Sequence, residues 1–353
     1  MNTFAVKAGK QFTHDAISEI TALGNGLIND TYLVKTETEK FVLQRINAQV
    51  FPQPDLVMEN LVALNQHLQK KNNIETKLII PEVIRSINQK SYIIDQKHDY
   101  WRALTFINNT VSKESISHQY EAEQVGFALA HFHRLLCEVN SDSFHDTLPG
   151  FHITPRYFQY YQQVEKQKGS SFEGEKVQFG RIFIDGFQSK INVLEDARQK
   201  GLLAERIIHG DPKLNNFLFD KQTDKIISLI DLDTVKPGLV HYDIADCLRS
   251  CCHNSQSNTF DLEICAAILN SYLKEAGVFF TRQDYEFLYP AIQLIPFELG
   301  LRFFTDFLQG SQYFKVEYPE HNLDRALALF KLCTSIGKQE TEIKQLIVDC
   351  SLG

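Results

Sequence analysis

Several features that would place this chain in a membrane or on nucleic acid are missing from its sequence. There is no run of about 18 apolar residues, the length that a membrane-spanning helix requires. The first residues, MNTFAVKAGKQF, contain no uninterrupted apolar segment of the kind found in secretory signal peptides. There is no Lys/Arg-rich run, and the formal net charge is −8, which disfavours nucleic acid and anionic membranes as partners. The sequence therefore predicts a cytoplasmic protein that binds neither.

The cysteines show no pairing pattern. There are seven, an odd number, no two are spaced as C-x-x-C, and Cys251 and Cys252 are adjacent. This arrangement disfavours a disulfide framework and a zinc site, and it predicts reduced thiols. With 43% hydrophobic and 23% charged residues, the composition is that of an ordinary globular protein.

Length and residue patterning predict two lobes. The chain has 353 residues, more than the roughly 250–300 at which a single hydrophobic core stops growing. Segments 29–36 and 40–46 are rich in β-branched and aromatic residues and predict a hairpin. A helical pattern follows at 55–70, with Asp55 as its N-cap, and shorter strand patterns lie at 76–84, 91–95 and 100–109. Helical patterns dominate from about residue 112, over 114–140, 259–280, 282–312 and 322–347. The predicted fold class is α+β, with a strand-rich region at 1–107 and a larger helical region at 108–353.

One stretch of the helical region, IIHGDPKLNNFLFDKQTDKIISLIDLDT at 207–234, combines apolar runs with chemically useful polar residues. Asp211 precedes Asn216 by the same interval that separates Asp and Asn in the protein-kinase catalytic loop, H-R-D-x-x-x-x-N. Phosphoryl transfer needs a carboxylate near the attacking hydroxyl and an oxygen ligand for the metal on the nucleotide phosphates. One tight loop supplies both, so the interval predicts Asp211 as base and Asn216 as Mg²⁺ ligand.

The segment after this loop adds two more charged residues. Residues 217–219 and 226–230 are short apolar runs that predict a hairpin, which would return Asp231 to the neighbourhood of Asn216 as a second metal ligand. Lys213 adds a positive charge next to the transferred phosphoryl group. An Asp at a strand end is more often a turn or cap residue than a ligand, but the combination favours phosphoryl transfer.

At this point the sequence resembles the aminoglycoside phosphotransferase-like kinases, whose loop H-G-D-x-x-x-x-N is matched from His209 to Asn216 and whose later I-D motif is matched by LIDLD. Within that superfamily it is most similar to the N-acetylhexosamine 1-kinases, through GNGLINDTYLV, FVLQRIN, VFPQPDLVMENL, YDIADCLRS and ELGLRFFTDFLQGSQYFKV. The resemblance runs from about residue 24 to residue 330. It implies a two-lobed protein-kinase-like fold and ATP- and Mg²⁺-dependent phosphorylation of the anomeric hydroxyl of GlcNAc or GalNAc. It also implies that Asp211 is the base and that Asn216 and Asp231 hold Mg²⁺, with Asp233 a weaker candidate.

The resemblance implies further that ATP binds the strand-rich lobe. Gly24 and Gly26 lie where backbone N–H groups would approach phosphates, although a plain turn explains them equally well. Protein kinases carry a phosphate-binding Lys on the next strand, but the corresponding segment here is FVLQ. Either Gln44 contacts the phosphates without charge, or Arg45 is brought in by a twist, with Glu59 as its ion-pair partner. The hinge near Thr105 to Ile107 would bind adenine through backbone groups.

For the sugar, the resemblance points to Arg302 and Tyr313. The alternative for Arg302 is an exposed ion ladder with Glu298 and Asp306, which lie four residues before and after it. Trp101 and Arg102 are further substrate candidates, because an aromatic face and a forked donor suit a sugar, although a lone Trp is more often a core residue.

Three other assignments remain open at the level of sequence. Asp243 and Arg249 are expected to support the catalytic loop as a helix N-cap and an ion pair. The chain could instead phosphorylate an amino alcohol, an aminoglycoside or another sugar. It could also be a regulatory pseudokinase, for which the missing lysine is the only support.

Overall fold

The computed structural model describes residues 3–24, 28–71 and 78–351. The described strands are β1 (Ile17–Ala22), β2 (Asp30–Thr36), β3 (Lys40–Ile46), β4 (Val83–Ile84), β5 (Ile93–Ile94), β6 (Tyr100–Thr105), β7 (Thr110–Val111), β8 (Arg206–Ile208), β9 (Phe217–Asp220), β10 (Ile226–Leu229), β11 (Lys236–Gly238), β12 (His253–Asn254) and β13 (Thr259–Phe260). The described helices are α1 (Thr3–Gly9), α2 (Pro54–Gln69), α3 (Gln119–Leu136), α4 (Thr154–Lys168), α5 (Glu175–Phe187), α6 (Val193–Gln199), α7 (Val240–Cys251), α8 (Leu262–Ala276), α9 (Arg282–Glu286), α10 (Leu288–Leu308), α11 (His321–Lys338) and α12 (Glu340–Ser351).

The strand-rich lobe contains an antiparallel sheet with strand order β1-β2-β3-β6-β4, and β5 pairs with β6. The predicted hairpin at 29–46 is confirmed as β2 and β3. Between β3 and β6, Gln44 lies opposite Arg102 and Arg45 lies opposite Trp101. Because neighbouring residues of a strand point to opposite faces, Gln44 and Arg102 share one face of the sheet, while Arg45 and Trp101 share the other.

Each face of this sheet meets a different environment. On the Trp101 face, helix α1 closes a small core that includes Phe12, Phe41 and Leu43. On the other side, α2 contributes Met58 and three further apolar residues to the large core of the helical lobe. The sheet therefore presents its Gln44 and Arg102 face toward the rest of the protein.

Helix α2 differs from its prediction at its first turn. It begins at Pro54, so Asp55 lies inside the first turn and is not the N-cap, which is Gln53. Proline is favoured at this first position because the N–H that it lacks would have no partner within the helix. Asp55 still lies where a negative charge favours the helix dipole.

The helical lobe packs around α3 and α10. The predicted stripe of α3 is buried at Val125, Leu129, Phe132 and Leu136, where each fully buried large side chain contributes roughly 1.5–3 kcal/mol. Aromatic rings fill the space between α5, α10 and α11. In the described part of the chain, no helix has the length and apolarity needed to cross a membrane.

The stretch 207–234 contains most of β8 and all of β9 and β10, and it includes the predicted hairpin. Strands β9 and β10 pair as an antiparallel hairpin, β7 pairs with β9, and β8 pairs with β11. The chain thus leaves β8, makes a loop, passes through the hairpin and returns beside β8. This course brings two loops, 209–216 and 230–235, to the same place.

Candidate active site

The loop after β8 is held by a buried carboxylate. Asp243, inside α7, accepts the backbone N–H of His209 at 2.7 Å and that of Gly210 at 2.8 Å. The same carboxylate accepts Nε2 of His133 at 2.8 Å. Burial favours the neutral acid, but these hydrogen bonds lower the pKa of Asp243 below its ordinary value. Asp243 therefore supports the loop as predicted, but by binding its backbone and not as an N-cap, and Arg249 pairs with Asp246 at 2.8 Å.

His209 holds the backbone of Asp211, two residues further along the loop. Burial lowers its pKa, and the neutral ring fits its two contacts. Nε2 lies 3.0 Å from the carbonyl oxygen of Ile230, to which its N–H donates, and Nδ1 accepts the backbone N–H of Asp211 at 3.3 Å. One imidazole thus joins the catalytic loop to the end of the hairpin.

Gly210 is required by both conformation and space. Its φ is +85°, and a Cβ there would lie 2.6 Å from the carbonyl oxygen of Thr234. We expect Gly210→Ala to lower the free energy of unfolding by about 1–3 kcal/mol and to reduce turnover, since the strain displaces Asp211. Chemical denaturation and initial rates check this, with Gly186→Ala as the matched control, because no atom lies within 4 Å of its added Cβ. A stable and fully active Gly210→Ala protein would contradict it.

The structure brings together four of the residues predicted for chemistry. Lys213 Nζ lies 2.5 Å from Asp211 Oδ2 and 4.0 Å from Asp231 Oδ2. Asn216 Nδ2 donates to the backbone oxygen of Asp211 at 2.7 Å, which leaves the amide oxygen available as a ligand. The carbonyl of Asn216 accepts the N–H of Ile230 at 2.9 Å. The hairpin therefore returns Asp231 to the catalytic loop, as predicted.

Charge is concentrated at Asp231. Its backbone is left-handed, with φ 64° and ψ 56°, a conformation that is uncommon for non-glycine residues but that Asp adopts more readily than most. Loss of hydration and the nearby carboxylates of Asp233 and Asp211 raise its pKa to about 6. A cation at this position would relieve that repulsion, and carboxylate and amide oxygens are the ligands that Mg²⁺ prefers. The donor set of Asn216 and Asp231 therefore fits Mg²⁺.

Asp233 is engaged by the strand-rich lobe and not by the loop. Asn29 Nδ2 donates to its Oδ2 at 2.6 Å, and Arg102 Nη2 lies 2.5 Å from its Oδ1. Both partners of the ion pair are buried, at 1% and 2% side-chain exposure. The Arg102 guanidinium also donates to Gln44 Oε1 from Nε at 3.0 Å and from Nη2 at 2.8 Å. Arg102, predicted as a sugar contact, thus pairs with Asp233, two residues from Asp231.

Three residues predicted for binding lie elsewhere. Arg45 pairs with Asp30 and with Asp99 on the outer face of the sheet, so the predicted pair with Glu59 is wrong. Glu59 instead lies 2.9 Å from Nε2 of His145.

Trp101 is a core residue. It is 1% exposed, its ring stacks on Tyr32, and its Nε1 donates to Asp95 at 3.0 Å. It is therefore not available to a substrate, because strand alternation turns it away from the face that carries Arg102.

The structure describes Gly24, Thr105 and Ile107, three of the four residues predicted to bind the nucleotide at the glycine turn and the hinge. Gly24 follows β1 with φ +68° and open space around it, and Gly26 lies outside the described residues. At the hinge, the backbone N–H of Thr105 donates to the backbone carbonyl of Glu82 at 2.9 Å. The hydroxyl of Thr110 donates to the backbone carbonyl of Ile107 at 2.9 Å.

Arg302 lies in an aromatic enclosure. Its guanidinium carbon is 5.3 Å from the ring centre of Phe151, 5.0 Å from that of Tyr157 and 5.6 Å from that of Phe314. Tyr313, next to Phe314, is 58% exposed. Arg302 and Tyr313 therefore lie near each other, and their contact with a sugar stays a prediction.

The alternative ion ladder along α10 does not form. Glu298 accepts Nδ1 of His152 at 3.1 Å and the hydroxyl of Thr154 at 2.8 Å. Asp306 accepts the backbone N–H groups of residues 312–314 and Nδ2 of Asn322. Neither carboxylate pairs with Arg302 in the described structure.

His152 connects this enclosure to the catalytic loop. Its Nε2 lies 2.8 Å from the carbonyl oxygen of Gly210, and its ring is adjacent to Phe151. The Glu298 carboxylate raises the pKa of His152 against the opposing effect of burial. This bridge links the residue next to Phe151 to the residue that precedes Asp211.

Sequence reasoning missed Asn29, His152 and the pairing of Arg102 with Asp233. One signal for the pair was present, since Arg102 interrupts the otherwise apolar strand segment WRAL and a charge in a buried strand requires a partner. His152 carried no such signal, because its contacts come from α10 and from the catalytic loop.

Comparison with known proteins agrees with this architecture. The family model described as "Phosphotransferase enzyme family" matches residues 19–288, which is more than half of the chain. Among solved structures, an aminoglycoside phosphotransferase from Alicyclobacillus acidocaldarius is similar, with a TM-score of 0.68, 14% identity and coverage of 96% of each chain.

Two further structures extend the likeness. A microcompartment-associated aminopropanol kinase matches with a TM-score of 0.66 and 15% identity, covering 97% of this chain and 98% of its own. An amicoumacin kinase in complex with AMP-PNP and Ca²⁺ matches with a TM-score of 0.63 and 12% identity, covering 98% and 93%. At these identities the likeness establishes the two-lobed protein-kinase-like fold.

Proposed function

Because the chain belongs to the phosphotransferase enzyme family, which transfers phosphoryl groups to hydroxyls, we propose that it phosphorylates the anomeric hydroxyl of an N-acetylhexosamine, GlcNAc or GalNAc, to the 1-phosphate. ATP and Mg²⁺ are its cofactors. Residues 1–107 form the nucleotide-binding lobe and residues 108–353 the catalytic and substrate lobe. The observation that carries the chemistry is the convergence of Asp211, Lys213, Asn216 and Asp231 at the end of one hairpin.

In the reaction, the Asp211 carboxylate orients the sugar hydroxyl and accepts its proton as the oxygen attacks the γ-phosphorus. The bond between the γ-phosphorus and the β,γ-bridging oxygen breaks, and ADP leaves with the electron pair of that bond. Lys213 Nζ lies 2.5 Å from this carboxylate. Burial alone would lower the pKa of Lys213, but Asp211 and Asp231 raise it above its ordinary value, so its positive charge persists at neutral pH. That charge lies where negative charge passes during transfer.

Asn216 and Asp231 would hold Mg²⁺, which when bound neutralises charge on the nucleotide phosphates. The amicoumacin kinase was solved with AMP-PNP and Ca²⁺, a nucleotide and divalent cation of the same kinds. The raised pKa of Asp231 supports the assignment, because a site that favours the neutral acid in the absence of a cation gains most from binding one.

The substrate class is supported by the surroundings of Arg302. A cationic amine would need free carboxylates near the aromatic rings, but the two acids whose charges act on Arg302 are engaged, Glu298 by His152 and Asp246 by Arg249. An uncharged sugar instead presents apolar ring faces to Phe151 and Tyr157 and hydroxyl or acetamide oxygens to the guanidinium donors.

The test is an ATP-consumption assay of the purified protein with Mg²⁺ and GlcNAc, GalNAc, glucose, galactose, choline or kanamycin, followed by NMR of the products. We expect turnover with GlcNAc or GalNAc and phosphate on C1. Turnover only with choline or kanamycin would overturn the substrate while retaining the catalytic loop. ATP binding without turnover on any compound would favour the pseudokinase.

Arg302 should control substrate binding more than chemistry. We expect Arg302→Met to raise the KM for the N-acetylhexosamine by about 10- to 100-fold, the effect of losing hydrogen bonds to a charged donor, with a smaller change in kcat. The matched control is Arg282→Met, because Arg282 is 87% exposed and pairs with Glu286 one turn away. A KM unchanged in Arg302→Met would remove Arg302 from the sugar site.

A further inference from the structure

The strand-rich lobe lacks the usual phosphate-binding cation at its usual position. Gln44 occupies the place on β3 where protein kinases carry a lysine. Arg45 does not replace it, since it lies on the outer face with Asp30 and Asp99. The residue directly opposite Gln44, one strand away, is Arg102, and it shares the inner face.

The contacts of Arg102 leave part of its donor capacity unused. Its Nε and Nη2 each donate a hydrogen bond to Gln44 Oε1. Nη2 also lies 2.5 Å from Asp233 Oδ1, but no N–H in the described part of the chain points at that oxygen in hydrogen-bond geometry. The remaining nitrogen, Nη1, meets only the sulfur of Met58 at 4.0 Å among the described residues. A fully satisfied structural ion pair would align its donors with the carboxylate.

Arg102 also lies close to the catalytic centre. Its guanidinium lies 2.5 Å from Asp233 Oδ1, and Asp233 is two residues from Asp231. Asn29, from the start of β2, holds the second oxygen of Asp233 at 2.6 Å. The guanidinium is thus fixed between Gln44 of the sheet and Asp233 of the hairpin end, at 1% side-chain exposure.

We propose that Arg102 binds the nucleotide phosphates in place of the missing lysine, with Gln44 orienting its guanidinium and Asp233 holding it as the αC glutamate holds the lysine of a protein kinase. This inference rests on the proposed use of ATP and is independent of the sugar. It also explains why Gln44 is neutral, because a second cation at that position would lie against the guanidinium. The guanidinium of arginine is a planar, bidentate donor, which suits the oxygens of a phosphate.

The test compares a triphosphate with a ligand that has no phosphate. Isothermal titration calorimetry of the full-length protein measures Kd for Mg·AMP-PNP and for adenosine. We expect Arg102→Met to weaken AMP-PNP binding by about 10- to 100-fold, as for a lost charge-assisted contact, and to leave adenosine binding unchanged. The double variant Gln44→Lys, Arg102→Met should recover most of the AMP-PNP affinity, because it restores the cation at the protein-kinase position. Arg85→Met, an exposed arginine of the same lobe, is the control.

Other outcomes overturn the proposal. Equal losses for both ligands would make Arg102 a structural residue, and an unchanged AMP-PNP affinity would exclude phosphate contact. If Arg102→Met does not fold, Arg102→Met with Asp233→Asn removes both buried charges and is tested in its place. If that variant also fails, ¹⁵N spectra of the arginine side chains in wild-type protein decide, since the Arg102 resonance must move with AMP-PNP and not with adenosine. Wild-type protein that binds neither ligand would refute the use of ATP itself.

Discussion

Asp211→Asn should lower kcat by about 10²–10⁴, the range expected for loss of a positioned general base. The amide has nearly the same shape as the carboxylate, so the backbone contacts of the loop to Asp243 and His209 are retained. It cannot accept the hydroxyl proton at neutral pH, and it leaves Lys213 without its 2.5 Å anionic partner. The chemical step is therefore lost while the fold remains.

The measurement is a pair of initial-rate series at saturating sugar and saturating ATP, together with a thermal melt. We expect KM for ATP to change little, because Asp211 is neither a predicted metal ligand nor a nucleotide contact. Asp185→Asn is the control, since Asp185 lies exposed on α5. A kcat within about threefold of wild type would remove Asp211 from the role of base, because a shift that small is well below the expected range.

The catalytic loop was predictable because its functional residues are close together in the sequence. Asp211, Lys213 and Asn216 lie within six consecutive residues, and the apolar runs on either side of residues 220–225 specify a hairpin that returns Asp231 to them. A hairpin of this length needs only local pairing, which the alternation of residues determines. The same holds for β2 and β3, where a short polar connection joins two strands of matching length.

The cation of the strand-rich lobe was not predictable in the same way. Arg102 reaches Gln44 only because β6 lies next to β3 in the sheet, although 58 residues separate the two in sequence. Nothing in FVLQRI or YWRALT specifies which strands are neighbours or their register. Choosing between Gln44 and Arg45 required knowing which face meets the helical lobe, and that depends on the packing of α1 and α2 on opposite sides.

The enclosure of Arg302 illustrates the same limit. Its rings come from the segment before α4, from α4 itself and from the segment after α10. The spacing of Glu298, Arg302 and Asp306 correctly puts them on one side of a helix, but each carboxylate finds a partner outside that helix, which local spacing cannot anticipate.

Asp231→Asn should separate catalysis from stability. Activity should fall by about 10³-fold or more in kcat/KM, because an amide binds Mg²⁺ more weakly than a carboxylate and the metal contributes several kcal/mol to charge stabilisation. The metal-free protein should nevertheless become more stable at neutral pH. Asp231 lies among Asp233 and Asp211, and the raised pKa measures how unfavourable its charge is in the folded protein.

The pH dependence gives the sign of this effect. With the pKa of Asp231 at about 6 in the folded protein, against 3.8 as the ordinary value, the folded chain retains a proton that the unfolded chain has released between these two values. The contribution of Asp231 to wild-type stability therefore declines as pH rises through this window, and the penalty is complete above about pH 6. Since 40% of the side chain is exposed, we expect a gain of only about 1 kcal/mol from the substitution.

Thermal melts of metal-free wild type and Asp231→Asn, in EDTA at pH 4 and pH 7, measure this difference. The two proteins should melt together at pH 4, where Asp231 is protonated in the folded wild type, and the variant should melt about one to a few degrees higher at pH 7. Adding Mg²⁺ and AMP-PNP should raise the Tm of wild type more than that of the variant, because binding to the folded state alone stabilises it. A variant that melts lower than wild type at pH 7 would mean that the Asp231 carboxylate stabilises the fold, through Lys213, more than it serves the metal.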